Sequence, residues 1–277
     1  MNIIVQIPNI CNLNCPYCYS RPVASKDLID VDRWWNGLSK IPKWPHFWNF
    51  NYGEPTLDPG CMEIALRFLE RGDDVAFLSN LTNGIEKLKD IPVKYKEKFH
   101  LPTSYHPYYW DINSFISEIK KYKDNGFNCN LVQIVAYPPY IPYIIEWKKQ
   151  LEDNGLLVWV LAFSGIYNNI QYPDSYTDKE KTVVYGSIQD SCSVSIDMKN
   201  VGNRISGNKE KITRKCSVGI DFMTINFQGT AYSCHELGDK GILGNIDDGI
   251  IPLDDPIICE QDRCMCHGMW GYIIEEN

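Results

Sequence analysis

Cys11, Cys15 and Cys18 stand with three and then two residues between them, directly after the apolar run Ile3-Ile4-Val5-Gln6-Ile7. A cubane iron-sulfur cluster has four irons, each of which takes a ligand, and thiolates are its usual protein ligands. Three closely spaced cysteines leave one iron open to a molecule other than protein, which turns an electron carrier into a catalyst. The competing reading is a zinc knuckle or a set of buried thiols, since cysteine is often buried and zinc also takes close cysteines. Zinc sites show paired Cys-x2-Cys or Cys/His units, however, and a third cysteine four residues earlier departs from that pattern.

The segment Cys11-Asn12-Leu13-Asn14-Cys15-Pro16-Tyr17-Cys18 resembles the signature of the radical S-adenosylmethionine (SAM) superfamily, including an aromatic residue, Tyr17, before the third cysteine. The resemblance implies a [4Fe-4S] cluster whose open iron is chelated by the amino and carboxylate groups of SAM. Reduction by an external donor of flavodoxin or ferredoxin type would cleave SAM to methionine and a 5′-deoxyadenosyl radical, which removes a hydrogen atom from the substrate. Residues 51–59 resemble the Gly-Gly-Glu-Pro segment of that family, which makes Gly53, Glu54 and Pro55 candidate contacts for the SAM amino group. An ammonium nitrogen wants acceptors, and glycine lets carbonyls approach closely. Tyr52 stands where the family has its first glycine. Ser79 to Gly84 resembles the family's Thr-Asn-Gly turn and offers Ser79 and Asn83, although Asn-Gly is also an ordinary turn signal. By the same resemblance Ser104 and Gln133 join the cofactor-binding set, and His106 and Tyr105 are the candidate catalytic groups. A lone histidine among aromatics is equally read as a structural residue.

A second cysteine set lies at the other end of the chain. Cys216 and Cys234, with Gly229 between them, and then Cys259, Cys264 and Cys266, resemble the SPASM and twitch extensions of radical SAM enzymes, which hold auxiliary clusters. A full SPASM set has seven cysteines, whereas these five can complete one second [4Fe-4S] cluster. Cys264 and Cys266 are preferred as its last two ligands because they are closest together, and a structural zinc site stays open as the alternative. His235 and His267 could serve as ligands or as donors behind the ligands.

The elements that must position these residues follow an alternating pattern. Short apolar or β-branched runs at 3–8, 46–52, 74–79, 100–106, 130–136 and 157–163 alternate with amphipathic stretches, as βα units around a parallel sheet do. Asp30 and Asp111 are candidate helix N-caps, and Gly72 and Gly126 are candidate stops. Parallel βα sheets keep their chemistry beyond the carboxyl ends of the strands, where the first cysteine loop falls. The expected fold is therefore α/β, a partial (β/α)6 TIM-like barrel over residues 1–165, then a connecting or substrate-covering segment at 166–215. A small cysteine-rich extension of hairpin and helix at 216–277 completes the chain. Within that extension, Asn226 to Gly229 is a turn between two strands.

Composition sets outer limits. The 277 residues are 44% apolar and 22% charged, ordinary globular usage, with a net charge of −8. No concentrated basic surface is visible, which argues against a nucleic-acid partner, and no apolar run is long enough for a membrane span. Without a secretory signal the expected compartment is the cytoplasm, where eleven cysteines read as metal or redox chemistry and not as disulfides. Since the first candidate strand starts at residue 3, no leader-binding domain is expected. The functional expectation is a two-electron oxidation of a small polar metabolite, helped by the auxiliary cluster. The alternatives are a peptide maturase or epimerase working with a separate leader-binding partner, and a non-catalytic metal or electron-transfer module.

Overall fold

A computed structural model describes residues 1–7, 10–18, 28–42, 45–191, 213–259 and 272–276. The six expected strands all form: β1 (Asn2–Gln6), β2 (Phe47–Asn51), β3 (Asp74–Phe77), a fourth in two pieces, β4 (Phe99–His100) and β5 (Thr103–Ser104), then β6 (Leu131–Ala136) and β7 (Leu157–Ala162). Every pairing among them is parallel. Helices α1 (Val31–Leu38), α2 (Pro59–Arg71), α3 (Ile112–Asp124) and α4 (Ile141–Asp153) lie between them in sequence.

The helix ends obey local chemistry. The side chains of Asp30 and Asp111 accept hydrogen bonds from the backbone N–H groups of Arg33 and Ser114, as N-caps do. Asp58 caps α2, with Pro59 in the first turn, and Gly72 ends that helix at φ +98°. Along the strands, alternate side chains face the helices and are sealed: Trp48 stacks on Phe68 of α2 at 4.0 Å between ring centres, and Phe50, Phe77 and Phe99 continue that layer edge to face. The opposite face carries Gln6, Asn49, Asn51, His100 and Gln133, a polar wall.

The structure is a mixed α/β fold with parallel sheets that do not close among the described residues, where a partial TIM-like barrel was expected. Pro102 has no N–H to give to a ladder, and the fourth strand breaks there. Isolated parallel bridges between Ser79 and Thr103 and between His100 and Asn128 span the break. Among the described residues β7 pairs only with β6, so the array is open at that edge.

The other edge of β1 is taken by a strand from late in the chain. β11 (Phe222–Ile225, after β8 at Gly165–Tyr167, β9 at Ile170–Tyr172 and β10 at Arg214–Cys216) runs parallel to β1, with Asn2 opposite Phe222. The sheet then continues antiparallel through β12 (Thr230–Tyr232), β13 (Ile242–Asn245) and β14 (Gly249–Ile250). The β11–β12 turn is where the sequence puts it, with the Asn226 side chain accepting from the N–H groups of Gln228 and Thr230. A separate antiparallel sheet joins β10 to β15 (Ile257–Cys259) and β16 (Ile273–Glu276).

Residues 165–191 are more than a surface connection. β8 and β9 form a hairpin, and α5 (Asp178–Ser191) brings Val184 and Tyr185 into the core against β7. The polar composition of this stretch conceals two buried side chains on one helical turn.

Candidate functional site

Directly beyond β1, the loop at residues 10–18 carries the three amino-terminal cysteines and is held from three sides. From the β2 side, the Glu54 N–H donates to the Ile10 carbonyl at 2.7 Å. Gly53, at φ +62°, lies so close that a Cβ there would stand 2.6 Å from the same oxygen. Glycine is required at that position for contact between two loops of the chain. Tyr52 adopts φ +65°, a region glycine occupies freely, at a strain of roughly 1–2 kcal/mol.

Glu54 is fully buried, and its carboxylate is consumed internally. One oxygen accepts from the Thr56 N–H, the Thr56 hydroxyl and the Ser79 hydroxyl at 3.2, 2.7 and 2.9 Å. The other accepts from the Asn80 N–H at 2.7 Å. Burial pushes the carboxyl above its usual range while these four donors pull it back. Two of them are backbone N–H groups that can only donate, so the geometry fits the ionised form. Glu54 and Ser79 thus tie the ends of β2 and β3 together, and Pro55 opens the turn that the Glu54 side chain caps.

From the β3 side, the Asn80 side chain donates to Asn12 Oδ1 at 3.1 Å and reaches Cys11 Sγ at 3.8 Å. Asn12 donates in turn to Thr82 at 2.6 Å and to Asn83 at 3.4 Å, and Asn83 donates to Thr56 at 2.8 Å. Asn12 and Asn80 are the residues that sequence reasoning missed. Their only signal is an amide flanking a buried strand end or a ligand cysteine.

From the β5 side, the Tyr109 hydroxyl accepts from the Asn14 N–H at 2.8 Å. His106 Nδ1 lies 3.0 Å from the Tyr17 hydroxyl and 3.5 Å from Cys15 Sγ. Tyr17, 3% exposed, packs among His106, Tyr137 and Tyr140. Burial pushes the His106 pKa down to about 4, so the ring is neutral near pH 7.

Ser104 and Gln133 are opposite one another across β5 and β6, and both are half-buried. Tyr105 is not brought to the cysteine loop. Side chains alternate along a strand, so Tyr105 points the other way from Ser104 and His106 and packs its ring on Phe115 and Trp147 of α3 and α4. It is buried, and its hydroxyl donates to the Trp110 carbonyl at 3.3 Å. Inside the polar wall, the Oδ1 atoms of Asn49 and Asn51 and the Nε1 of Trp159 are buried with no hydrogen-bond partner among the described residues. No motif in the sequence announces them.

Burial raises the thiol pKa values of Cys11 and Cys15, Cys15 to about 12, and the neighbouring thiols add to the effect. Ionising these thiols calls for a cationic centre beside them. Among the described residues no three His, Cys, Asp or Glu side chains converge on a position for a single metal ion. Three soft thiols spread along one anchored loop suit a multi-iron cluster, which takes one thiolate per iron.

In the second set, Cys216 and Cys234 share one buried cluster with Val218 and Phe222. On β15, Cys259 is opposite Arg214 while Ile257 is opposite Cys216. Residues two apart share a face, so Cys259 lies diagonally beside Cys216 on the same side of the sheet. The tertiary pairing therefore favours Cys259, where proximity in sequence favoured Cys264 and Cys266, which lie with His267 and Cys192 outside the described residues. Cys61 and Cys129 are buried in the core.

No family model and no curated protein matches the chain. Solved structures do. A structure described as native anSMEcpe with bound AdoMet and Kp18Cys peptide is 18% identical, with a TM-score of 0.58 over 90% of this chain and 79% of that one. Streptococcus suis SuiB bound to S-adenosylmethionine is 14% identical, with a TM-score of 0.58 over 86% of this chain and 61% of that one. SuiB bound to precursor peptide SuiA matches at 14% identity and a TM-score of 0.59, over 90% and 63%. The likeness is one of fold: at 18% identity or less, the chain shares its fold with these structures, two of them described with AdoMet or S-adenosylmethionine bound. This chain spans less than two thirds of SuiB. No described helix is long and apolar enough to cross a membrane.

Proposed function

We propose that this protein is a radical SAM enzyme that modifies a peptide substrate. The observation that carries the proposal is the loop of three free cysteines anchored beyond the strand ends by Glu54, Asn80 and His106, on a fold shared with AdoMet-bound structures. A [4Fe-4S] cluster ligated by Cys11, Cys15 and Cys18, when bound, supplies reductive cleavage of SAM to methionine and a 5′-deoxyadenosyl radical. The electron comes from an external donor of the flavodoxin or ferredoxin class.

The chain's own residues position and exclude. Gly53 and Glu54 lock the cysteine loop onto the β2 end, and Asn80 and Asn12 fix its first cysteine. The aromatic group of Tyr17, Tyr137 and Tyr140 walls one side and keeps water from a reactive radical. Ser104 and Gln133 offer hydrogen-bonding groups on the strands facing the loop. The unpartnered Asn49, Asn51 and Trp159 atoms suit a substrate rich in neutral polar groups, as peptide amides are. Cys216, Cys234 and Cys259, with a fourth cysteine from Cys264 or Cys266, would hold an auxiliary cluster. It would take up the electron left after hydrogen removal in an oxidative modification.

Peptide-bound neighbours favour this substrate class over the small metabolite expected from sequence. The test is anaerobic reconstitution with iron and sulfide, dithionite reduction, and measurement of 5′-deoxyadenosine from SAM. About eight irons per chain and SAM cleavage that Cys15→Ala abolishes support the proposal. Zinc binding without SAM cleavage would establish the non-catalytic module instead.

A further inference from the structure

Asn80 spends every polar group it has inside the cysteine site, and only 4% of it is exposed. Its backbone N–H donates to Glu54 at 2.7 Å beyond β2, and its carbonyl accepts from Trp110 Nε1 at 3.0 Å in the loop after β5. The side-chain Oδ1 accepts from the Thr82 N–H at 2.9 Å. A backbone N–H can only donate, so the atom facing it is the oxygen, and the NH2 group points the other way, to Asn12 and Cys11. The bonding itself settles which end of the amide meets the cysteine.

A ring of three hydrogen bonds holds the amide there. Asn80 Nδ2 donates to Asn12 Oδ1 at 3.1 Å, Asn12 Nδ2 donates to the Thr82 hydroxyl at 2.6 Å, and that hydroxyl donates to Asn80 Oδ1 at 2.5 Å. The donors run one way around the ring, so each bond polarises the next. One Nδ2 hydrogen is committed to Asn12. The other belongs to the Cys11 sulfur, 3.8 Å from Nδ2, a separation that the large radius of sulfur brings within reach. The Leu13 N–H adds a second donor to the same sulfur at 3.4 Å.

Hydrogen bonds to the sulfurs are among the factors that set the reduction potential of an iron-sulfur cluster. A reduced cluster carries one more negative charge than an oxidised one, so donor dipoles aimed at a ligand sulfur favour reduction. Their effect grows where water is excluded, as it is around a buried amide.

We propose that Asn80, acting through the Cys11 sulfur, raises the reduction potential of the cluster held by Cys11, Cys15 and Cys18. The proposal rests on the function proposed above. Asn80 touches a ligand and not the reacting atoms, so it is a positioning residue. The added electron comes from a one-electron donor, dithionite or a viologen in the test, and no bond to protein forms or breaks.

The test uses the full chain, reconstituted anaerobically, as wild type and as Asn80→Ser, Asn80→Ala and Asn12→Ala. Serine keeps a hydroxyl that can accept from the Thr82 N–H, which preserves the turn, but it is too short to reach Cys11. Asn12→Ala opens the same ring and leaves the Asn80 donor in place, still oriented by the Thr82 N–H. Iron content is measured first and gives occupancy. The amino-terminal cluster is the electron paramagnetic resonance signal that a Cys15→Ala protein lacks, and a redox titration of that signal gives the midpoint potential. The expected result is full occupancy throughout, with both Asn80 variants shifted to more negative potential and Asn12→Ala shifted less. Equal midpoints in wild type and the Asn80 variants overturn the proposal. A shift in Asn12→Ala as large as theirs also overturns it, by making order in the loop the cause. Loss of the cluster from both Asn80 variants does the same, by making the residue necessary for assembly; if one variant loses it, the midpoint of the other decides. A wild-type protein that takes up no cluster overturns the functional reading as well, a result kept distinct because occupancy is known before any potential.

Discussion

Replacing Glu54 by Gln separates a carboxylate consumed inside the protein from one waiting for a ligand. The two backbone donors on Glu54, the N–H groups of Thr56 and Asn80, address different oxygens. An amide has only one oxygen, so in either orientation its NH2 group faces one of those N–H groups. One charge-assisted hydrogen bond, worth about 1.5–3 kcal/mol, becomes a contact between two donors. The bonds that survive become neutral and lose roughly 1 kcal/mol together. Removing a buried charge offsets part of this loss, in the direction of the raised pKa that burial causes. The net expectation is a loss of about 2–3 kcal/mol against a typical total of roughly 5–15 kcal/mol. Urea unfolding of the cluster-free protein, followed by tryptophan fluorescence, measures it as a lowered midpoint at unchanged slope. Because neither SAM nor iron is present, ligand binding cannot contribute. A Glu54→Gln protein within about 0.5 kcal/mol of wild type would refute the reasoning and return the carboxylate to the role expected from sequence.

Other perturbations read other joints. Gly37→Ala on α1 would put a Cβ 2.4 Å from Ile246 Cβ. The gain of about 1 kcal/mol in helix propensity should be outweighed by an overpacking cost of roughly 1–3 kcal/mol, so the melting temperature should fall. Cys259→Ala should remove roughly four irons per reconstituted chain, whereas Cys61→Ala, in the buried core, should remove none. Iron analysis beside circular dichroism decides between them. Burial lowers the His46 pKa, and its backbone N–H is held by Asp73 at 2.7 Å. The unfolded chain takes up a proton near pH 6.5 that the folded histidine refuses. Stability should therefore drop as pH falls below about 6.5 towards the folded value, and His46→Phe should flatten that part of a urea-midpoint profile.

Much of the site was legible because it is local. Three cysteines within eight residues carry their spacing into any fold, and a Gly-Glu-Pro turn after a strand lands at the end of that strand. The caps at Asp30 and Asp111 and the stop at Gly72 are decided by hydrogen bonds within a few residues, and the alternation of apolar runs located the six parallel strands. The direction in which Tyr105 points was not legible, because a one-residue step along a strand reverses the side chain's direction and motif proximity does not report which face is which.

Tertiary structure decided what depends on partners distant in sequence. Only strand pairing shows that β11 closes against β1, that the ladder breaks at Pro102, and that Cys259 lies beside Cys216. Only packing shows that Glu54 spends its carboxylate on Thr56, Ser79 and Asn80, and that His106, 89 residues from Tyr17, meets its hydroxyl beside Cys15. Such contacts are set when apolar faces bury one another and every enclosed donor must find an acceptor. That condition applies to the chain as a whole, and no stretch of sequence satisfies it alone.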